Sequence, residues 1–218
     1  MHIADGILSP EVLITTAGVS AGVVGLSLKK SKGQLGERQI PMLGVVSAFI
    51  FAAQMLNFPI IGGTSGHLLG GMLAAALLGP WNAVLALTTV LFVQAVFFSD
   101  GGITALGANV FNMAVIGVFT GYLFYQLLQR IIPGKTGKTL GLIGGSWLSV
   151  VAGALAASVE ISLSGLLSFK VAAGALLFWH SFIGLGEAFI TLIAVTYLEK
   201  IFGVGFFQGI KEVAINEK

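Results

Sequence analysis

The chain has 218 residues, of which 56% are hydrophobic and 9% charged, with a mean hydropathy of +0.98 and a formal net charge of +2. An ordinary soluble domain is about 25% charged, so neither a water-soluble enzyme nor a disordered chain fits this composition. The sequence has no cysteine, which excludes disulfides, iron–sulfur clusters and thiolate zinc sites. It offers no basic face for nucleic acid, so no nucleic-acid partner is expected. What remains is an all-α polytopic helical bundle in a lipid bilayer, read as one integral membrane domain over residues 1–218.

The first ten residues, Met1 to Pro10, lack the basic start of a secretory leader and are read as part of the mature protein. Beyond them the chain predicts seven spans, at about 11–28, 41–60, 67–79, 81–98, 106–129, 139–161 and 174–198, from the need for about 20 apolar residues per crossing. Stretches 39–99, 101–129 and 139–159 contain no Asp, Glu, Lys or Arg. Span one carries small residues at four-residue spacing, Ala17, Ala21 and Gly25, with Gly18 and Gly22 beside them. The plain reading is close helix packing within the chain; the sharper one is a docking face for another membrane subunit. Span three is short and ends at Gly79-Pro80, a helix breaker. It is expected to cross only part of the bilayer or to be shielded by its neighbours, and six spans is the alternative.

Basic residues set the orientation. Lys29, Lys30, Lys32 and Arg38 lie between spans one and two, Arg130, Lys135 and Lys138 between five and six, and Lys200, Lys211 and Lys218 after seven. Seven spans put ten of the eleven basic residues on one side, leaving Lys170 opposite. The positive-inside rule makes that side cytoplasmic, with the N-terminus outside. The Gly-Lys-Thr pairs at 134–136 and 137–139 lack the upstream glycine of a phosphate-binding loop, since Gln129 and Ile132 hold those places. The chain shows no visible means of using ATP and is not read as an enzyme.

Three histidines, His2, His67 and His180, carry most of the remaining chemistry. With a free amine at Met1, the Met1-His2 segment offers the α-amine, the His2 amide nitrogen and His2 Nδ1 in succession. They close a five- and a six-membered chelate ring, three corners of a square that suits Ni(II) or Cu(II) better than Zn(II). The plain alternative is a frayed terminus. His67 follows Gly62-Gly63-Thr64-Ser65-Gly66, an irregular segment of the kind tolerated at membrane depth where it lines a protein cavity. Its imidazole supplies the fourth corner; the alternative is a tight turn that only lets helices approach. The loop from Ser99 to Asn112 faces the same side, and Asn109 is placed to hydrogen-bond a ligating group. An ordinary cap or interhelical hydrogen bond is the other reading of Asn109 and Asn112. His180 and Glu187 share one face of span seven, and Glu160 lies near the outer end of span six. A proton relay or a buried polar pair that orders the bundle are the two readings of His180 and Glu187.

Met1-His2-Ile3-Ala4-Asp5-Gly6-Ile7-Leu8-Ser9, the stretch Asn57–Gly71, the Gly101–Asn112 stretch and His180-Ser181-Phe182-Ile183-Gly184-Leu185-Gly186-Glu187-Ala188 together resemble the NikM/CbiM family. These are the substrate-capture (S) components of energy-coupling-factor transporters for nickel and cobalt. The resemblance runs along essentially the whole chain. It implies that the N-terminus folds into a central outward-facing pocket, where Met1, His2 and His67 match the family's metal positions, with Ser65 and Asn109 as supporting residues beside them. It also implies a membrane coupling (T) subunit and cytoplasmic ATPase subunits as partners, with a further small membrane subunit that the end at Lys218 leaves no room to carry in fusion. Thr64-Ser65-Gly66-His67-Leu68-Leu69-Gly70 looks more like the nickel branch, and Ala4-Asp5 stands where the cobalt branch has Met-Glu. Ala4 itself departs from the proline of some nickel members. The expected cargo is Ni(II), with Co(II) open, carried as substrate without an organic cofactor. The location expected is the prokaryotic cell membrane. A stand-alone proton-coupled carrier and a structural membrane protein are the rival readings.

Overall fold

In a computed structural model, residues 1–32, 39–60, 63–203 and 207 are described. Arg38, Gly62, Lys211 and Lys218 lie outside these residues. The elements are α1 (Pro10–Ser31), α2 (Gln39–Gln54), β1 (Phe58–Ile60), β2 (Thr64–Gly66), α3 (Gly71–Leu78), α4 (Pro80–Phe98), α5 (Leu106–Asn109), a π-helical stretch Val110–Gly117, α6 (Val118–Ile131), α7 (Lys135–Leu163) and α8 (Phe169–Phe202). Among the described residues, five helical rods are long and apolar enough to cross a membrane: α1, α4, the continuous Leu106–Ile131 rod, α7 and α8.

Two predicted spans are shorter than a full crossing. Span two becomes α2, which stops at Gln54, six residues before the expected end. Pro59 cannot continue a helix, and Phe58–Ile60 instead pairs antiparallel with Thr64–Gly66. This small hairpin departs from the all-α expectation. Span three becomes α3, eight residues rising about 12 Å. Every one of its residues is buried, which fits the expectation of a shielded, partial crossing. Gly79, with φ 80°, separates it from α4.

The helices turn polar residues inward and apolar ones outward. On α1, Thr16, Ser20, Ser27 and Ser31 are buried while Ile14, Val19, Leu26 and Leu28 are exposed. That inversion is natural where the surrounding solvent is lipid and each polar group needs an internal partner. Thr16 and Ser27 donate to carbonyls of their own helix, and Ser20 donates to the Gly107 carbonyl. The small-residue stripe divides. Ala17 packs so tightly on Gly107 that a Cβ there would sit 2.5 Å from the Ala17 Cα, whereas a Cβ on Gly18, Gly22 or Gly25 would meet nothing within 4 Å.

The core that positions the site is α3, surrounded by α2, α4, the Leu106–Ile131 rod, α7 and α8. Within that rod, the π-helical turn spans Asn112, which is fully buried and donates from Nδ2 to Glu160 Oε2 at 2.7 Å. This is the interhelical hydrogen bond that was one of the two readings of Asn112. The N-terminal end of α7 and the C-terminal end of α8 are joined by the Lys138–Glu199 ion pair.

Candidate metal centre

The N-terminus is not frayed. Met1, His2 and Ile3 are all buried, at 1%, 4% and 0% exposure. Ile3 forms an isolated antiparallel bridge with Thr64, so the terminus lies against β2. On its other flank Gly102 donates to the Ile3 carbonyl at 2.9 Å. Asn109 then brackets the same residue: the Ile3 amide donates to Asn109 Oδ1 at 2.8 Å, and Asn109 Nδ2 donates to the Ile3 carbonyl at 3.0 Å. Asp5 closes the turn, accepting from the Ile103 amide and from both the amide and hydroxyl of Thr104. Those bonds, the Thr104 hydroxyl first, hold the Asp5 carboxyl below its ordinary range.

Two glycines make the docking possible. A Cβ on Gly102 would lie 2.4 Å from the Asp5 amide nitrogen, and Gly101 has φ 89° with His2 and Asn109 against it. A third, Gly153 on α7, accommodates the Met1 thioether: a Cβ there would stand 2.7 Å from Met1 Cε and 2.9 Å from the Asn112 carbonyl oxygen.

The nitrogens of the first two residues converge. The Met1 amine donates to Ser65 Oγ at 3.3 Å and the His2 amide donates to the same oxygen at 3.2 Å. The His2 and His67 rings stack, 4.3 Å between centroids. His67 Nδ1 lies 2.7 Å from the Leu68 carbonyl oxygen, which fixes the proton on Nδ1 and leaves Nε2 an acceptor. That Nε2 is buried without a hydrogen-bond partner. His2 Nδ1 faces Asp100 Oδ1 at 3.2 Å, and Asn57 Nδ2 donates to the other Asp100 oxygen at 3.1 Å.

Burial disfavours the charged forms of the Met1 amine, His2 and His67. It holds the Met1 amine well below its usual range, against the opposing pull of Asp100. It holds His67 well below the usual imidazole range, with the Met1 amine and the His2 charge acting in the same direction. His2 is lowered by burial too, partly offset by Asp100. Burial alone would raise Asp100, but the hydrogen bond and charge of His2, the Met1 amine and Asn57 outweigh it and leave the carboxyl low. Neutral amine and imidazole nitrogens are the forms that bind transition metals.

Met1 and His2 meet Ser65, the His2 ring stacks on His67, and Asn109 bonds the Ile3 backbone rather than a nitrogen of Met1, His2 or His67. His180 and Glu187 do not pair. His180 Nδ1 is bonded to the Leu176 carbonyl, its Nε2 has no hydrogen-bond partner, and both Glu187 oxygens accept backbone amides of Leu69 and Gly70. The reading of these two as a buried pair is corrected on that point: Glu187 orders the bundle through the His67 loop, not through His180. Sequence reasoning missed Asp100, although it is the only charged residue between Arg38 and Arg130, and that isolation was the available signal. It also missed Gly153, whose role depends on a packing partner 152 residues away. Among the described residues no group of three or more His, Asp or Glu side chains forms a metal-like cluster.

Comparison with known proteins shows what the whole chain is similar to. A family described as "Cobalt uptake substrate-specific transmembrane region" matches residues 2–202. The putative fused nickel transport protein NikMN of Archaeoglobus fulgidus is 41% identical over 91% of the chain, and the chain spans 65% of that relative's length. A putative metal transport protein of Haloquadratum walsbyi is 39% identical, covering 91% of this chain and 89% of that one. The cobalt transport protein CbiM of Sorangium cellulosum is 31% identical, covering 91% of each. The crystal structure of a truncated transition metal transporter superposes with a TM-score of 0.87 at 38% identity, over 92% of this chain and 99% of that one. A profile match over nearly the full length, together with a shared fold at this identity, means that the chain belongs to the CbiM family of metal-uptake transmembrane proteins.

Proposed function

We propose that this chain is the substrate-binding membrane subunit of an ATP-driven energy-coupling-factor importer, and that it captures Ni(II), with Co(II) as the second cargo, from outside the cell. The ligands are the Met1 amine, the His2 amide nitrogen, His2 Nδ1 and His67 Nε2. The observation that carries this reading is the convergence of the Met1 and His2 nitrogens on a single atom, Ser65 Oγ, beside a buried His67 Nε2 with no hydrogen-bond partner. Ser65 holds the two chelating nitrogens side by side before the ion arrives. Loading then requires three local changes. The hydroxyl yields, the His2 ring turns its Nδ1 from Asp100 and carries its proton on Nε2 instead, and the amide proton passes to solvent. Four nitrogen bonds and the charge of the deprotonated amide offset the ion's lost hydration. Nitrogen donors in a plane favour Ni(II) and exclude Mg(II) and Ca(II), which require oxygen.

In this reading the N-terminus lies outside and the C-terminus in the cytoplasm of a prokaryotic cell membrane, consistent with Lys29, Lys30, Arg130, Lys135, Lys138 and Lys200 at one end of the helices. Partners are a membrane coupling subunit, cytoplasmic ATPase subunits and a small membrane subunit. The proton-coupled carrier is disfavoured because no hydrogen bond joins His180 to Glu187. The test is metal stoichiometry in purified protein, with two residues added before Met1 or with His2→Ala. One ion per chain in the parent and none in either variant is expected; unchanged tight binding in either variant would overturn the chelate. Metal uptake by vesicles holding this chain alone, driven by a pH gradient, would favour the carrier.

A further inference from the structure

The loop that presents His67 is gripped from two sides. The Glu187 carboxylate, on α8, accepts the Leu69 amide at 2.7 Å and the Gly70 amide at 2.9 Å. Gln54, the last residue of α2, donates from Nε2 to the Leu69 carbonyl at 2.8 Å. Glu187 and Gln54 are 1% and 0% exposed. The gripped amides stand just before α3, where helix N–H groups have no partner within the helix, and α3 is buried throughout. In a bilayer no water can serve them, so each unmet amide would cost several kcal/mol. A carboxylate at a helix N-terminus satisfies both amides and the dipole behind them.

The segment has no slack. Gly70 has φ 81°, and a Cβ on it would meet the Ile50 side chain at 2.8 Å. A Cβ on Gly71 would meet Leu69 and Ser149 side-chain atoms at 2.7 Å. His67 is two residues from the gripped peptide, and its own Nδ1 is fixed to the Leu68 carbonyl. A displacement of α8 at Glu187 therefore passes through rigid backbone to the His67 ring. Glu187 also stands 12 residues, about 18 Å of helix rise, from Glu199, where the C-terminal end of α8 is tied to α7.

We infer that Glu187 is the positioning residue that fastens the His67 loop to α8, so that the disposition of α8 sets how firmly the bound ion is held. This rests on the reading of His67 as a ligand. A gripping residue behind a metal ligand typically changes affinity about 10- to 100-fold. The experiment compares the parent protein with Glu187→Gln and with Thr191→Val, a buried α8 residue one turn further on whose hydroxyl has no hydrogen-bond partner. Two quantities are read: amide hydrogen exchange of the peptide holding Leu69 and Gly70 without metal, and release of Ni(II) into excess chelator, with the absorption band of the bound ion recorded.

In Glu187→Gln the amide can accept one N–H but sets its own N–H group against the other. Expected are lost protection at Leu69 and Gly70, Ni(II) release about 10- to 100-fold faster, and a shifted absorption band, with Thr191→Val like the parent. Parent-like exchange and release in a folded Glu187→Gln would overturn the inference while leaving the metal reading intact. A parent that binds neither ion would overturn the metal reading, and the exchange arm alone would then decide the role of Glu187. If Glu187→Gln does not fold, Glu187→Asp keeps the charge on a shorter arm. Parent-like exchange and release in that variant would overturn the inference equally.

Discussion

Replacing Asn109 by Ala isolates the docking of the N-terminus from the chemistry of the ligands. Asn109 contacts no proposed ligand atom; it holds Ile3 by both its amide and its carbonyl. The Ile3 carbonyl keeps a second donor, the Gly102 amide, so losing the Asn109 donor there removes one hydrogen bond, about 0.5–1.5 kcal/mol. The Ile3 amide has no other hydrogen bond and Ile3 is fully buried, so it is left unmet at about 1–3 kcal/mol. Together these weaken the docked terminus by about 1.5–4.5 kcal/mol, and at 1.4 kcal/mol per factor of ten metal affinity falls about 10- to 1,600-fold. Asn109→Asp should do at least as badly: it keeps an acceptor for the Ile3 amide but turns a second carboxylate oxygen toward the Ile3 carbonyl. The assay is competition for Ni(II) against a chelator of known affinity, with thermal unfolding of the metal-free protein to establish that the bundle is intact. An Asn109→Ala protein that folds and binds within threefold of the parent would refute the idea that Ile3 is the anchor of the site.

Two further outcomes follow from the same geometry. Gly153→Ala should push the Met1 side chain off α7 and press on the Asn112 carbonyl, since the new Cβ would lie 2.7 and 2.9 Å from them; weaker Ni(II) binding is expected in competition assays, whereas binding equal to the parent would show that the thioether pocket is irrelevant to the amine's position. Metal-free stability should fall in acid. The folded state holds the Met1 amine below 8.0 and His67 below 6.5 through burial, so as pH drops through those values the unfolded chain takes up protons that the folded chain refuses. Each group then contributes a slope of up to about 1.4 kcal/mol per pH unit. Denaturant unfolding at pH 8 and pH 5.5 should show this loss, and His67→Gln should flatten it; an acid-independent stability in the parent would mean that these groups are not neutralised by burial.

The amino-acid sequence alone determined the membrane class, because 9% charge and long uncharged stretches admit no other solvent. It also placed α1, α4, the Leu106–Ile131 rod and α7 closely, since each is bounded by Pro, Gly or a basic cluster that acts locally. Met1, His2 and His67 were legible as a set because chelate-ring size and ligand type are properties of adjacent covalent structure and of scarce residues. Tertiary structure decided the rest. That Ile3 lies against the Phe58–Gly66 hairpin depends on a bridge to Thr64, a residue far along the chain. Glu187 could be seen as an intramembrane carboxylate but not as the partner of Leu69 and Gly70, 117 or more residues away. Hydropathy and local propensity are sums over neighbours in the chain. The site is made of hydrogen bonds that close only when distant helices meet, and no local sum contains them.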